Sequence, residues 1–275
     1  MTQPSSTFSA ASGDGYDLQM GRWSRLLAGP FLDFAGVIDA GRVLDAGCGT
    51  GALTAELLRR TEVMQTVGID VSPAYVAHAT GSITNSRAVF EIGDLTSFSV
   101  ADDSFDHVYS QLVLHFVPNT NLAVSELVRV TKPGGRISAA VWDARGGLTF
   151  NRFFLDTAAM VDSSAEELRK RTFTRPLTRP GELARAWEEA GLEDRRSGDV
   201  TFRTEFASFD DYWAPFDGDD GPIPAYLRSV ASDIRHKIKD AVRRAYLDGE
   251  EDGPRSYTAT AWVASGKKSA AIKAI

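Results

Sequence analysis

One cysteine, Cys48, and four histidines occur in 275 residues. An internal disulfide is excluded, and no cysteine–histidine spacing suits a structural zinc site. A lone thiol fits a reducing compartment. Basic residues are also scarce: 30 lysines and arginines face 37 acids, a net charge of −7. Phosphate neutralisation needs a basic face, so no nucleic-acid partner is expected. Arg169, Lys170, Arg171, Arg175 and Arg179 form the best basic cluster, and it reads as a solvated helix end and turn. No apolar run approaches the roughly 18 residues of a membrane span, so no membrane partner is expected either. Residues 1–15 lack the apolar core of a signal peptide and read as a flexible tail on a soluble, cytoplasmic chain. No internal repeat is visible.

What is present is a hydrophobic share of 43%, enough for one substantial core with an appended lid. The most informative stretch is Val43-Leu44-Asp45-Ala46-Gly47-Cys48-Gly49-Thr50-Gly51. Arg42 to Ala46 reads as a buried strand, and Ala52 to Arg60 as a helix with Leu53, Leu57 and Leu58 on one face. Between them, three glycines at alternate positions let the backbone turn and a ligand approach. Strand, glycine turn and helix N-terminus make a nucleotide-type corner. The spacing is G-x-G-x-G rather than the G-x-G-x-x-G of dinucleotide folds, which disfavours a nicotinamide oxidoreductase. No Gly-Lys-Ser or Gly-Lys-Thr follows, so a phosphate-cradling P-loop is excluded.

These nine residues resemble the first motif of the class I S-adenosylmethionine-dependent methyltransferases, small-molecule type. The resemblance implies S-adenosyl-L-methionine as cofactor, with Gly47, Cys48, Gly49 and Gly51 beneath its methionine part and Asp45 organising its ammonium end. Thr66 to Ile69 reads as a second strand ending in Asp70, about 20 residues past the loop, where a ribose-binding carboxylate belongs. Gly68-Ile69-Asp70-Val71-Ser72 resembles the family's second motif, which brings Val71 to the cofactor as well. Ser72 and Pro73 also suit a helix start as N-cap and first helical residue. A third strand from Ala88 ends in Gly93-Asp94-Leu95, and the family roles of binding adenine's amino group and a ring nitrogen pass to Asp94 and Leu95. Ser104 to Gln111 reads as strand four, whose carboxyl end, at Gln111, faces the transferred methyl in the family. A helix from Asn119 to Val130 then closes on Lys132-Pro133-Gly134-Gly135, a breaker turn leading into strand five, Ile137 to Trp142.

Alternating strands and helices argue for an α/β doubly wound, mostly parallel sheet, with ligands at the strands' carboxyl ends. The resemblance implies seven strands in the order 3-2-1-4-5-7-6, the last antiparallel. The expected organisation is a tail over 1–15, a Rossmann-like cofactor core with an N-terminal helix over 16–145, and the rest of the sheet plus a helical, aromatic lid (about 205–254) over 146–275. In the family the N-terminal helix often supplies a tyrosine and an arginine to the methionine carboxylate, which assigns Tyr16 and Arg22; a surface arginine beside a packed Trp23 is the competing reading. His115, just past strand four, is the candidate general base, against a plain helix-start residue. The insertion's aromatics, Phe206, Phe209, Tyr212, Trp213, Phe216 and Tyr226, suit either an acceptor lining or a buried docking face. Its segment Ala225 to Leu247 reads as one amphipathic piece.

The function expected is methyl transfer to a small-molecule acceptor by a monomer or homodimer without a metal. The alternatives are a cofactor-binding protein without transferase activity, or an RNA or protein methyltransferase. Gln111-Leu112-Val113-Leu114 in place of an Asn-Pro-Pro-Tyr-type motif counts against an amino-group nucleic-acid enzyme.

Overall fold

A computed structural model describes Ser6 and residues 21–270. Seven strands form one sheet: β1 (Arg42–Ala46), β2 (Gln65–Asp70), β3 (Ala88–Ile92), β4 (Phe105–Gln111), β5 (Thr131–Trp142), β6 (Glu193–Phe206) and β7 (Arg255–Lys267). Their order is β3-β2-β1-β4-β5-β7-β6, as expected. The first five are parallel, and β7 runs antiparallel to both β5 and β6.

The helices alternate with the strands: α1 (Arg22–Ala35), α2 (Ala52–Arg60), α3 (Pro73–Ser82), α4 (Thr120–Val130), α5 (Thr149–Val161), α6 (Ala165–Phe173) and α7 (Glu182–Glu189). Between β6 and β7 lie α8 (Phe209–Trp213), α9 (Pro222–Ser229) and α10 (Ser232–Leu247). Period-2 alternation sends strand side chains to opposite faces. Along β5, Ile137, Ala139 and Val141 join the core under α4 and α7, whereas Ala140 and Trp142 join the core under α1, α2 and α5. Caps fix the helix starts. Ser72 Oγ accepts from the Tyr75 backbone N–H at 3.3 Å with Pro73 at the first turn, and Asn119 Oδ1 accepts from that of Leu122 at 3.2 Å.

Three local expectations are corrected. Lys132-Pro133-Gly134-Gly135 is not a turn ahead of strand five but an irregularity within it. β5 already pairs at Phe105↔Thr131, and the register then jumps to His107↔Arg136. The extra residues are taken up as in a bulge, with Gly134 at φ 79 and its N–H donating to the Lys268 carbonyl at 2.9 Å. Pro180 to Ala190 reads from the sequence as a helix with Gly191 just past its end; it starts instead at Glu182, because Gly181 sits left-handed at φ 79 as its cap. The amphipathic run Ala225–Leu247 is two helices, separated where Val230 and Ala231 are extended. Neither glycine nor proline marks that break.

The sheet positions the site through its connectivity. From β1 the chain winds outward to β3, then returns to place β4 on the other side of β1. The carboxyl ends of β1 and β4 thus diverge at a switch point, where a crevice opens.

Candidate active site

At that crevice the glycine loop leaves β1. The Gly47 and Cys48 N–H groups donate to the Ile69 carbonyl at 2.7 and 3.1 Å, tying the loop to the end of β2. Gly47 holds φ 78, and a Cβ there would lie 2.4–2.9 Å from the Val113 side chain. Gly51, at φ 89, caps α2 in the left-handed region. No side chain larger than hydrogen fits either place without strain.

Asp70 organises the neighbouring wall. Its Oδ2 accepts from the Gly49 N–H at 2.9 Å and its Oδ1 from the Ser72 N–H at 2.9 Å. Burial raises its pKa, against the pull of these backbone donors. Asp94 Oδ1 accepts from the Thr96 N–H at 2.8 Å and Oγ1 at 2.7 Å. Gly47, Gly49, Asp70, Val71, Asp94 and Leu95 all line one cavity. It is open to solvent, and its lining runs from the glycine loop to the insertion between β6 and β7.

The remaining wall is apolar and aromatic. Trp23 of α1, Trp142, Phe150, Phe206, Tyr212 and Phe216 contribute to it. The insertion's aromatics therefore serve both expected uses. Tyr212 and Phe216 face the cavity, while Phe209, Trp213 and Tyr246 pack the insertion onto itself and α5, with Phe209–Tyr246 centroids 5.7 Å apart and Phe154–Trp213 6.0 Å. Tyr212 Oη donates to the Phe150 carbonyl at 2.9 Å, and Tyr75 Oη to Asp220 Oδ1 at 3.2 Å, which fastens the insertion over α3 and α5.

Other expected site residues lie behind this wall. Asp45 is buried, and Thr54 Oγ1 donates to its Oδ2 at 2.7 Å. Burial outweighs that bond and pushes its pKa up to about 7. Cys48 is buried and its thiol is pushed up by burial, so it stays protonated at neutral pH. Gln111 Nε2 donates to the Ser24 carbonyl at 3.0 Å, joining the end of β4 to α1. Its Oε1 is buried without a hydrogen-bond partner among the described residues. Arg22 Nη1 pairs with Asp211 Oδ1 of α8 at 2.9 Å, and the guanidinium lies 4.1 Å from the Trp23 ring centroid and 4.8 Å from that of Phe206. Its Nε and Nη2 are buried without a hydrogen-bond partner among the described residues. Tyr16 lies outside the described residues.

His115 is not brought to the cavity. It sits in a 3-10 turn (Leu114–Phe116) whose Phe116, not His115, lines the wall. Both imidazole nitrogens are buried without hydrogen-bond partners among the described residues. Burial first, then the charge of Arg175, holds its pKa well below the ordinary histidine value. A buried neutral ring beside an apolar wall suits packing rather than proton transfer.

This burial has a measurable consequence. As pH falls through 6.5 the unfolded chain protonates this histidine and the folded chain does not, so stability falls. His107, held down to about 3 by burial, acts in the same direction. Asp45 opposes them, because its folded carboxyl takes up a proton below about pH 7, before the unfolded one does. His115→Phe removes one proton from the imbalance. Its urea-derived stability should fall less between pH 7.5 and 5.5 than the wild type's, by about 1.4 kcal/mol. Parallel pH profiles for the two proteins would contradict the burial argument.

Comparison with known proteins adds to this geometry. Residues 44–139 match the family model described as a methyltransferase domain. This stretch holds β1 to most of β5, with the glycine loop, Asp70, Asp94 and Gln111. Over these residues the chain carries a methyltransferase domain. A demethylmenaquinone methyltransferase from Beutenbergia cavernae is 34% identical over 143 residues, 49% of this chain and 58% of that protein. Across the curated relatives the matched region spans 32% to 58% of their own length. A structure described as a putative methyltransferase from Bacillus halodurans covers 88% of this chain and 98% of its own, with a TM-score of 0.59 at 18% identity. The [4+2]-cyclase SpnF covers 96% of this chain and 88% of its own, with a TM-score of 0.57 at 19% identity.

The residues of this methyltransferase domain fit the family's cofactor. The orphaned Gln111 acceptor and the two orphaned Arg22 donors are what a zwitterionic amino-acid end requires. Gly47 and Gly51 lack the Cβ that would crowd the loop. Among the described residues no cluster of histidine, cysteine or acid could hold a metal ion, and no helix is long and apolar enough to cross a membrane.

Two features escaped sequence reasoning. Arg175, assigned to a solvated patch, lines the cavity and lies over the Phe116 ring at 4.5 Å. Leu112, on the same wall, holds a left-handed φ of 63. For a leucine this costs about 1–2 kcal/mol, and it turns Val113 toward the glycine loop. No residue type announces it; an Asn or Gly there would have.

Proposed function

We propose that this chain transfers a methyl group from S-adenosylmethionine to a small-molecule acceptor in the apolar part of the cavity. The observation that carries this reading is Asp70, an acid on the cavity wall locked to the glycine loop by its Gly49 bond. Each of its oxygens accepts one backbone N–H and keeps a lone pair for one of two vicinal ribose hydroxyls. Asp94 Oδ2 would take the adenine amino group, between apolar Val71 and Leu95. Gln111 Oε1 would receive the ammonium and Arg22 the carboxylate of the methionine end, after a local rearrangement that brings their buried atoms to the cavity. Gly47, Gly49 and Gly51 admit the ligand, Cys48 fills space beneath the loop, and Asp45 braces the loop through Thr54.

When bound, the cofactor supplies a methyl on a sulfonium that is already an activated leaving group. The protein's share is to hold the acceptor in line and exclude water. The aromatic wall and the fastened insertion suit both tasks. We assign His115 to packing rather than proton transfer. A relative named for a quinone-precursor substrate supports a small acceptor.

The arginine assignment is tested with two variants. Arg22→Ala should weaken S-adenosylhomocysteine binding about 5- to 20-fold by calorimetry, the span expected for losing one charge-assisted pair. Asp211→Asn, which neutralises the acid beside Arg22 and keeps one oxygen for the Ala207 N–H that donates to Asp211 at 2.9 Å, should change it less than about 2-fold. Equal losses would mean that Arg22 acts by holding α8. A cyclase of the same fold shows that fold does not dictate transfer. Labelled methyl moving from S-adenosylmethionine to a small acceptor supports the transferase reading; saturable binding with no transfer across a broad acceptor panel supports a binding protein.

A further inference from the structure

Arg175 follows α6 and is the one basic side chain among the described residues that line the cavity. Two other arginines of its segment have acids beside them: Arg169 Nε donates to Asp156 at 2.6 Å, and Arg179 lies 4.0 Å from Glu182. Arg175 has none. Its guanidinium lies over Phe116, and no acceptor among the described residues takes its N–H groups. Burial pulls its pKa down to about 10, which leaves it charged at neutral pH. A half-buried charge without a counterion carries a desolvation cost, and a bound anion would offset that cost.

The rest of the wall narrows the ligand. Much of the lining is apolar or aromatic, Trp142, Leu148, Phe150, Phe216 and Ile223 included. Asn151 of α5 also lines it, and no described residue takes its side-chain amide. One cation cannot balance a dianion in a cavity whose other charged walls are Asp70 and Asp94. A planar guanidinium fork matches a carboxylate in two parallel hydrogen bonds.

Resting on the methyltransferase reading above, we propose that the acceptor is an apolar molecule bearing a single carboxylate, which Arg175 receives on the cavity wall. Arg175 is then the specificity-determining residue for the acceptor's charge. Asn151 supplies a further neutral donor.

The test uses the full chain saturated with S-adenosylhomocysteine. The probes are trans-cinnamate, indole-3-acetate and decanoate, each beside its primary amide, with binding read by calorimetry. At least one acid should bind 10-fold or more tightly than its amide. In Arg175→Gln that ratio should fall below about 2, with S-adenosylhomocysteine affinity within 2-fold of wild type. Arg175→Lys should keep part of the preference, which guards against a folding defect in the first variant. Acids and amides binding alike, no acid binding, or a preference that survives Arg175→Gln would overturn the proposal. A 10-fold loss of S-adenosylhomocysteine binding in Arg175→Gln would also overturn it, by giving Arg175 to the cofactor's carboxylate, and would leave the methyltransferase reading standing. Failure of the wild type to bind S-adenosylhomocysteine would remove that reading itself.

Discussion

Asp70→Ala should weaken S-adenosylhomocysteine binding at least a hundredfold, to the edge of calorimetric detection. Two hydroxyls donating to one carboxylate contribute roughly 1.5–3 kcal/mol each, and a hundredfold is about 2.7 kcal/mol. The substitution also strips the acceptor from the Gly49 and Ser72 N–H groups, which Asp70 holds at 2.9 Å each. The glycine loop then loses its tie to the ribose wall. Asp70→Asn keeps one acceptor oxygen and should fall between the two. Circular dichroism confirms the fold in each case. Unchanged affinity in a folded Asp70→Ala protein would remove the ribose assignment.

Gly47→Ala should cost both stability and binding. The left-handed backbone at φ 78 disfavours any Cβ by about 1–2 kcal/mol. That Cβ would also lie 2.4–2.9 Å from Val113, an overpacking of about 1–3 kcal/mol. The melting temperature should drop on the order of 10 °C. S-adenosylhomocysteine affinity should fall with it, because relief of the clash moves the loop. Val113→Ala in the same chain opens the space and should restore about half of the lost stability. Gly81→Ala provides a contrast: it lies in α3 with nothing within 4 Å of the added Cβ, and should be neutral or stabilising. Equal effects at positions 47 and 81 would contradict the steric account.

Much of this site was legible because its signals are local. Asp45, the three glycines and the α2 pattern lie within 16 consecutive positions, 45–60, so chain connectivity alone brings them together. Asp70, Asp94 and Gln111 were legible one step further on, since each closes an apolar run and parallel strands align their carboxyl ends. The sheet order followed from the same alternation joined to the family resemblance.

What stayed hidden depends on packing between distant segments. Arg175 sits between Arg169 and Arg179, which pair with acids, and only the seating of its turn against Phe116, 59 positions away, turns it inward. His115 and Phe116 are adjacent in the chain, yet the 3-10 turn puts Phe116 on the wall and His115 behind it. The left-handed Leu112 is set by the β4 ending, where its N–H donates to the Ala140 carbonyl at 2.8 Å. The Arg22–Asp211 pair spans 189 positions. No period or motif reports such contacts.

The most direct measurement is a crystal structure of the full chain grown with saturating S-adenosylhomocysteine. The account predicts the nucleoside across the carboxyl ends of β1 to β4, its ribose hydroxyls on Asp70, its adenine beside Asp94 and Leu95, and its amino-acid end reaching Gln111 and Arg22. A crevice that stays empty at saturation, or a nucleoside bound elsewhere on the protein, would contradict it.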